Sequence, residues 1–254
     1  MRKTLIDTKT MFWRNMIQTL RTPDALIMSI VIPGVIMLIF VNVFGGSLDV
    51  GDYNFTNFIV PGILVNSIIQ ALAYTGISVN QDLTSGIINR FRSMSISKSS
   101  ILTAHVLVAT LKTIATTIVI LTVAYFAGFR PTASLTEWIS ISALILLFIL
   151  SISWVAAFFG AALKSADSVA GMMAIIALFV FLSPGMAPTE TMPRFLRYFA
   201  ENQPMSPFIN SIRALMNGKP IEGNDLILTL AWWGGILVVT FLATNHFYKK
   251  KLTV

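Results

Sequence analysis

The sequence predicts an all-α integral membrane protein: six transmembrane helices, an N-terminal interfacial helix ahead of them, and two short outer re-entrant or amphipathic helices before the last span. Three observations predict it. Of the 254 residues, 55% are hydrophobic and only 11% charged, well below the roughly one quarter charged in a water-covered domain, and the mean hydropathy is +0.77. Six apolar runs fall at about 25–44, 57–79, 104–127, 138–162, 167–187 and 225–247. Each is close to the ~20 residues that cross a ~30 Å hydrocarbon core as a helix, the conformation that pairs its own backbone polar groups. Finally, none of the 11 acidic residues falls well inside a run, and the 18 basic ones gather at run ends.

Residues 1–24 form the first element. Leu5, Phe12, Trp13, Met16, Ile17 and Leu20 recur at helical steps between Lys9, Arg14, Gln18 and Arg21, the pattern of a helix lying in a membrane interface or of a plain juxtamembrane anchor. Thr22-Pro23 ends it. No small-residue cleavage site follows the first apolar run, so that run is read as a retained anchor. Residues 25–254 make up the transmembrane domain. Pro33-Gly34 interrupts its first span, Pro61-Gly62 its second and Ser183-Pro184-Gly185 its fifth. A proline frees a carbonyl, which a membrane tolerates only where neighbours satisfy it, so these spans are expected to face protein or a cavity.

Between the second and third spans lies NQDLTSGIINRFRSMSISKSS, residues 80–100, far longer than a turn between adjacent helices requires. Ile87, Ile88 and Phe91 form a short apolar stripe beside Arg90 and Arg92, the pattern of a helix docked in a partner's groove; a basic loop on lipid headgroups is the alternative. Lys112, about two turns into the third span, is expected to snorkel to the interface. Between the fifth and sixth spans, Met192, Phe195, Leu196 and Phe199 give one short helix an apolar face. In the next helix Ser206 suits the N-cap, Pro207 the first helical position and Gly218 the stop. Both are expected to dip into, or lie on, the outer leaflet.

Placing the N-terminus inside puts 13 of the 18 basic residues on the cytoplasmic side and 5 (Arg130, Arg194, Arg197, Arg213, Lys219) outside, the bias expected of cytoplasmic loops. Both termini are then cytoplasmic. The net charge of +7 is spread over span ends, which argues against a nucleic-acid partner. With no Cys, and His105 and His246 at no shared ligand spacing, a bound metal is not expected. Coupled carriers generally need ionisable groups within the membrane; the missing acids leave a secondary transporter or channel as the weaker alternative, beside a non-transporting scaffold. GAALKSAD lacks the Gly that precedes Lys in a phosphate-cradling loop, so an energy source would have to be a separate subunit.

DLTSGIINRFRSMSISKSSILTAHVL resembles the segment after the second span in type-2 ABC exporter permeases of the daunorubicin-resistance branch. Asp82, Gly86, Arg90, Phe91, Arg92, Ser93 and Met94 match, while Ser95 stands where Pro is usual and Asn89 where an acid is frequent. FAENQPMSPFINSIRALMNG is similar to the stretch before the family's last span, with Asn202, Pro204, Pro207, Arg213 and Gly218 in place. The resemblance implies a non-catalytic permease in a bacterial or archaeal plasma membrane, paired with a second copy of itself or a related permease. A separate ATP-binding subunit would hold ATP and magnesium and push on residues 82–95, and this chain would bind no cofactor. Asn42, Asn66 and Gln70, amides scattered on an apolar wall, are candidates for lining a pathway, and so apolar a wall favours small hydrophobic drugs over lipids or lipid-linked glycans.

Overall fold

The computed structural model describes residues 2–21, 23–44, 53–84 and 98–251. Among them are nine α-helices: α1 (Arg2–Arg21), α2 (Pro23–Ile39), α3 (Phe55–Thr84), α4 (Lys98–Phe126), α5 (Leu135–Ala162), α6 (Ala166–Phe181), α7 (Arg194–Asn202), α8 (Met205–Met216) and α9 (Asp225–Lys251). By length and composition four stretches can cross a membrane: Phe55–Thr84, Ser100–Phe126, Leu135–Ala162 and Asp225–Phe247. Two shorter apolar stretches are Ile30–Val43 and Ala166–Phe181.

Those two shorter stretches fall within the first and fifth expected spans, and local backbone chemistry shapes the C-terminal end of each. The α-helix of α2 gives way at Phe40–Phe44 to a π-helical turn. α6 stops at Phe181 rather than 187 because Pro184 lacks an N–H and disfavours helix in the residue before it. Ser183 closes the break, its Oγ donating to the Val180 carbonyl at 2.6 Å and accepting from Gly185 N at 3.1 Å.

α3 is the hub, packed against α2, α4, α5, α6 and α8. Of its most apolar stretch 83% is buried, against 11% in α9, so α9 lies at the rim on α5 and α8. Two glycine pairs let α3 approach its neighbours. A Cβ on Gly62 would lie 2.1 Å from the Gly185 carbonyl oxygen, and one on Gly160 of α5 would lie 2.5 Å from the Gly76 carbonyl oxygen. Around α5, α8 and α9 an aromatic core forms: Phe148 stacks on Phe208 with centroids 4.5 Å apart and meets Trp233 edge-on at 4.5 Å. Ser151 Oγ donates to the Trp233 carbonyl at 2.8 Å, which ties the rim helix to the core.

The two short helices before α9 form as expected, with one correction. Ser206 is not an N-cap. Pro204, already at helical φ and ψ, precedes α8 and brings no N–H to satisfy, so the helix starts at Met205 and Pro207 is its third residue rather than its first. Its hydroxyl instead donates to the Ala200 carbonyl at the end of α7. The stop is Gly218, at φ +60, against Thr132, whose Oγ1 would lie 3.1 Å from an added Cβ. On α7 the face carrying Phe195 and Leu196 is exposed, as is Tyr198, so this helix leans outward from the bundle.

Candidate functional site

At the end of the bundle that carries α1, Asp82 occupies the last turn of α3, three residues before the undescribed segment 85–97 begins. Its carboxylate is buried and held from two sides. Arg14 of α1 donates Nη1 to Oδ2 at 2.9 Å and Nη2 to Oδ1 at 3.2 Å, a forked pairing of the kind that fixes geometry as well as charge. Nε2 of His105 on α4 lies 3.1 Å from Oδ2. One carboxylate thus joins three helices. α1 is held to α4 as well, where Met11 packs against Ile101 and Ala104 with Phe12 beside them. Two residues before Asp82 on α3, Asn80 Nδ2 donates to the carbonyls of Gly160 at 3.1 Å and Leu163 at 2.9 Å, capping the end of α5.

Of the remaining residues singled out between the second and third spans, Gly86, Arg90, Phe91, Arg92, Ser93 and Met94 lie outside the described residues. Asp82 is the described one, and its carboxylate is spent on the chain's own Arg14 and His105.

At the opposite end a second polar cluster closes the break in α6. Arg213 of α8 is buried, donating Nε to the Phe58 carbonyl at 3.1 Å, Nη2 to the Pro184 carbonyl and Nη1 to Asn210 Oδ1 at 3.3 Å. Its guanidinium also covers the Phe58 ring at 4.0 Å. Burial pushes its pKa down to about 10, so it stays charged at neutral pH. Gln203 Nε2 donates to the carbonyls of Phe179 at 2.9 Å and Leu182 at 2.5 Å. The carbonyls that a broken helix leaves without partners are therefore taken by side chains from the segment before α9. Nearby, Asn57 of α3 donates to the Arg130 carbonyl and to Asn217 Oδ1, both at 2.9 Å, and accepts from Arg130 N at 2.9 Å. A cavity of about 870 Å³ opens beside this cluster, lined by Tyr53, Glu190, Glu201, Asn210, Arg213 and Asp225 among others. Glu201 on its wall accepts from Arg197 Nε at 2.7 Å, which holds the Glu201 carboxyl below its ordinary pKa.

Arg213 and Pro207 of the second predicted motif are buried in this cluster. Pro204 starts α8 and Gly218 ends it, while Asn202 is exposed and donates to its own helix at Tyr198. The pathway amides do not share one surface. Asn42 is exposed and donates to Leu38 O at 2.8 Å. Asn66 is buried with its Nδ2 unpartnered. Gln70 lines an apolar hollow of about 220 Å³ with Ile32, Ala73 and Ala174.

The ABC-2 type transporter family profile matches residues 7–217, a stretch that contains both clusters. The chain belongs to the ABC-2 type transporter family. It is 26% identical over 245 residues to the daunorubicin resistance ABC transporter permease protein DrrB1 of Streptomyces coeruleorubidus, covering 96% of this chain and 86% of that protein. It is 27% identical over 236 residues to the probable doxorubicin resistance ABC transporter permease protein DrrC of Mycobacterium tuberculosis, covering 89% and 82%. The chain is the permease subunit of an ABC-2 exporter, a non-catalytic membrane component.

In this ABC-2 permease, sequence reasoning identified Asp82 and Arg213 but not their partners. Arg14 reads in sequence as one more interfacial base, and His105 was considered only as a metal ligand. Asn57, Asn80 and Gln203 passed unnoticed, although a polar side chain beside a span end or a broken helix is the signal that could have found them. Replacing Arg213 by Met should orphan the Pro184 carbonyl, at about 1–3 kcal/mol, and remove the second donor to the Phe58 carbonyl, read as a fall in the unfolding midpoint of the detergent-solubilised permease. Arg213→Lys should recover only part of it, since an ammonium lacks the guanidinium fork.

Proposed function

We propose that this permease expels a hydrophobic or amphiphilic small molecule, drug-like or lipid-like, driven by a separate ATP-binding subunit that docks on residues 82–95. The observation that carries the reading is the Asp82 junction. A push on the segment following α3 would act on a helix end already locked to α1 through Arg14 and to α4 through His105. The three helices would then move together rather than letting the connection flex alone.

Six crossings with both termini cytoplasmic complete the reading: α2 and α6 count as the first and fifth, and the excess of basic residues sits on the side of α1. On this orientation Arg213, Gln203 and the large cavity lie on the outer side, where α7 and α8 would shape the exit. A second copy, or a related permease, would complete the pathway, and ATP with its magnesium would be bound by the partner. The named relatives are drug-resistance permeases, which supports a drug-like cargo and a bacterial plasma membrane as the location.

The test is co-purification with the candidate ATP-binding subunit, comparing the native chain with an Arg90→Glu, Phe91→Ala double variant. The variant should insert normally and lose the partner. Retention of the partner and of ATP-driven extrusion of doxorubicin, used as the probe, would remove residues 82–95 from the interface.

A further inference from the structure

We propose that α1, α3 and α4 enclose a binding site for the phosphate headgroup of an anionic membrane lipid. On the orientation proposed above, this lipid belongs to the inner leaflet. The site is a cavity of about 310 Å³ beside the Asp82 junction, lined by Asn15, Gln18, Tyr74, Gln81, His105 and Lys112 among others. That volume is at the lower end of the roughly 300–1,000 Å³ in which small-molecule groups are held.

The lining is chemically one-sided. It holds an ammonium, amides and hydroxyls, and no carboxylate. Asn15 is only 5% exposed, and its Nδ2 donor has no partner. Lys112 makes no ion pair among the described residues, and its ammonium lies 5.8 Å from the centroid of the Tyr74 ring. Asp82, next to the lining residue Gln81, is already paired with Arg14 and His105. An ammonium part-way along an apolar helix without a counter-ion, next to a buried unsatisfied donor, calls for an anion with several acceptor oxygens.

A lipid fits better than a dissolved ion because of what adjoins the cavity. Tyr74 and Ile77 belong also to the apolar hollow of about 220 Å³ lined by Ile32, Ala73, Ala170 and Ala174. A chamber carrying an ammonium and amides that adjoins a more apolar one across Tyr74 and Ile77 matches a headgroup followed by an acyl chain. A lipid seated there would touch α1, α3 and α4 beside the junction that joins them.

The test is native mass spectrometry of the full-length permease, titrated with dioleoyl phosphatidylglycerol or dioleoyl phosphatidylcholine. Phosphatidylglycerol should be retained roughly tenfold more strongly, because choline places a fixed cation beside the phosphate that Lys112 would hold; equal retention overturns the proposal, and this comparison needs no variant. Lys112→Gln should erase the preference and Lys112→Arg should keep it, while Asn15→Leu should weaken phosphatidylglycerol retention. A preference unchanged in Lys112→Gln overturns the site. Millimolar inorganic phosphate should not displace the lipid; displacement would show that the chamber takes the free anion, overturning the lipid assignment.

Discussion

Gly62→Ala should abolish recovery of folded permease, whereas Gly34→Ala should leave it unchanged. Both glycines follow a proline inside an apolar helix, and nothing in their local sequence separates them. A Cβ on Gly62 would sit 2.1 Å from the Gly185 carbonyl oxygen and 2.7 Å from its Cα, while one on Gly34 meets nothing within 4 Å. The obstacle is backbone held by Arg213 and Ser183, so no side chain can swing aside. Overpacking of a core typically costs about 1–3 kcal/mol and more where the neighbour cannot yield. Here yielding would separate α3 from the break in α6 and free the carbonyls that Arg213 and Gln203 cap. Monodispersity in size-exclusion chromatography and the unfolding midpoint read the effect. An unimpaired Gly62→Ala would mean that the two helices do not touch there. At Gly34, the methyl group should be neutral or slightly stabilising, since Ala is the better helix former.

The second large effect is expected at the Asp82 junction. Asp82→Ala removes the carboxylate that Arg14 and His105 share, leaving a buried imidazole and a part-buried guanidinium without it. Breaking a buried pair costs roughly 3–5 kcal/mol; because the Arg14 side chain is 31% exposed, about half of that is expected. Arg14→Ala should cost less, and the double variant should fall short of the sum, as for residues in direct contact. Exchanging the charges, Arg14→Asp with Asp82→Arg, should restore part of the loss. In proteoliposomes containing the ATP-binding subunit, Asp82→Ala should keep ATP hydrolysis while doxorubicin extrusion falls at least tenfold. Extrusion that tracks hydrolysis unchanged would mean that force does not pass through this contact.

Much of this was legible in the residues because bilayer constraints are short-range. Apolar runs, basic residues at their ends and the Thr22-Pro23 stop each report on a few neighbouring positions, and α1, α3, α4, α5 and α9 form close to where the runs predict. Gly218 was legible for the same reason: a helix stop needs one residue at positive φ. Ser206 misled because Pro204, two residues earlier, already supplies the starting geometry. Asp82 and Arg213 were singled out within motifs, but what they bind was not legible. Arg14 and His105 lie 68 and 23 residues from Asp82, and the Phe58 carbonyl lies 155 residues from Arg213.

By itself the sequence determined that this chain lives in a bilayer and roughly where its apolar helices run. Those follow from hydropathy, charge placement and local backbone chemistry. Only the tertiary structure decided which proline-glycine break meets another helix, which carbonyls Gln203 and Arg213 cap, and that Asp82 binds α1 to α3 and α4. The physical reason is that hydrogen bonds and close packing act over a few ångströms in space, and chain separation carries no record of that distance.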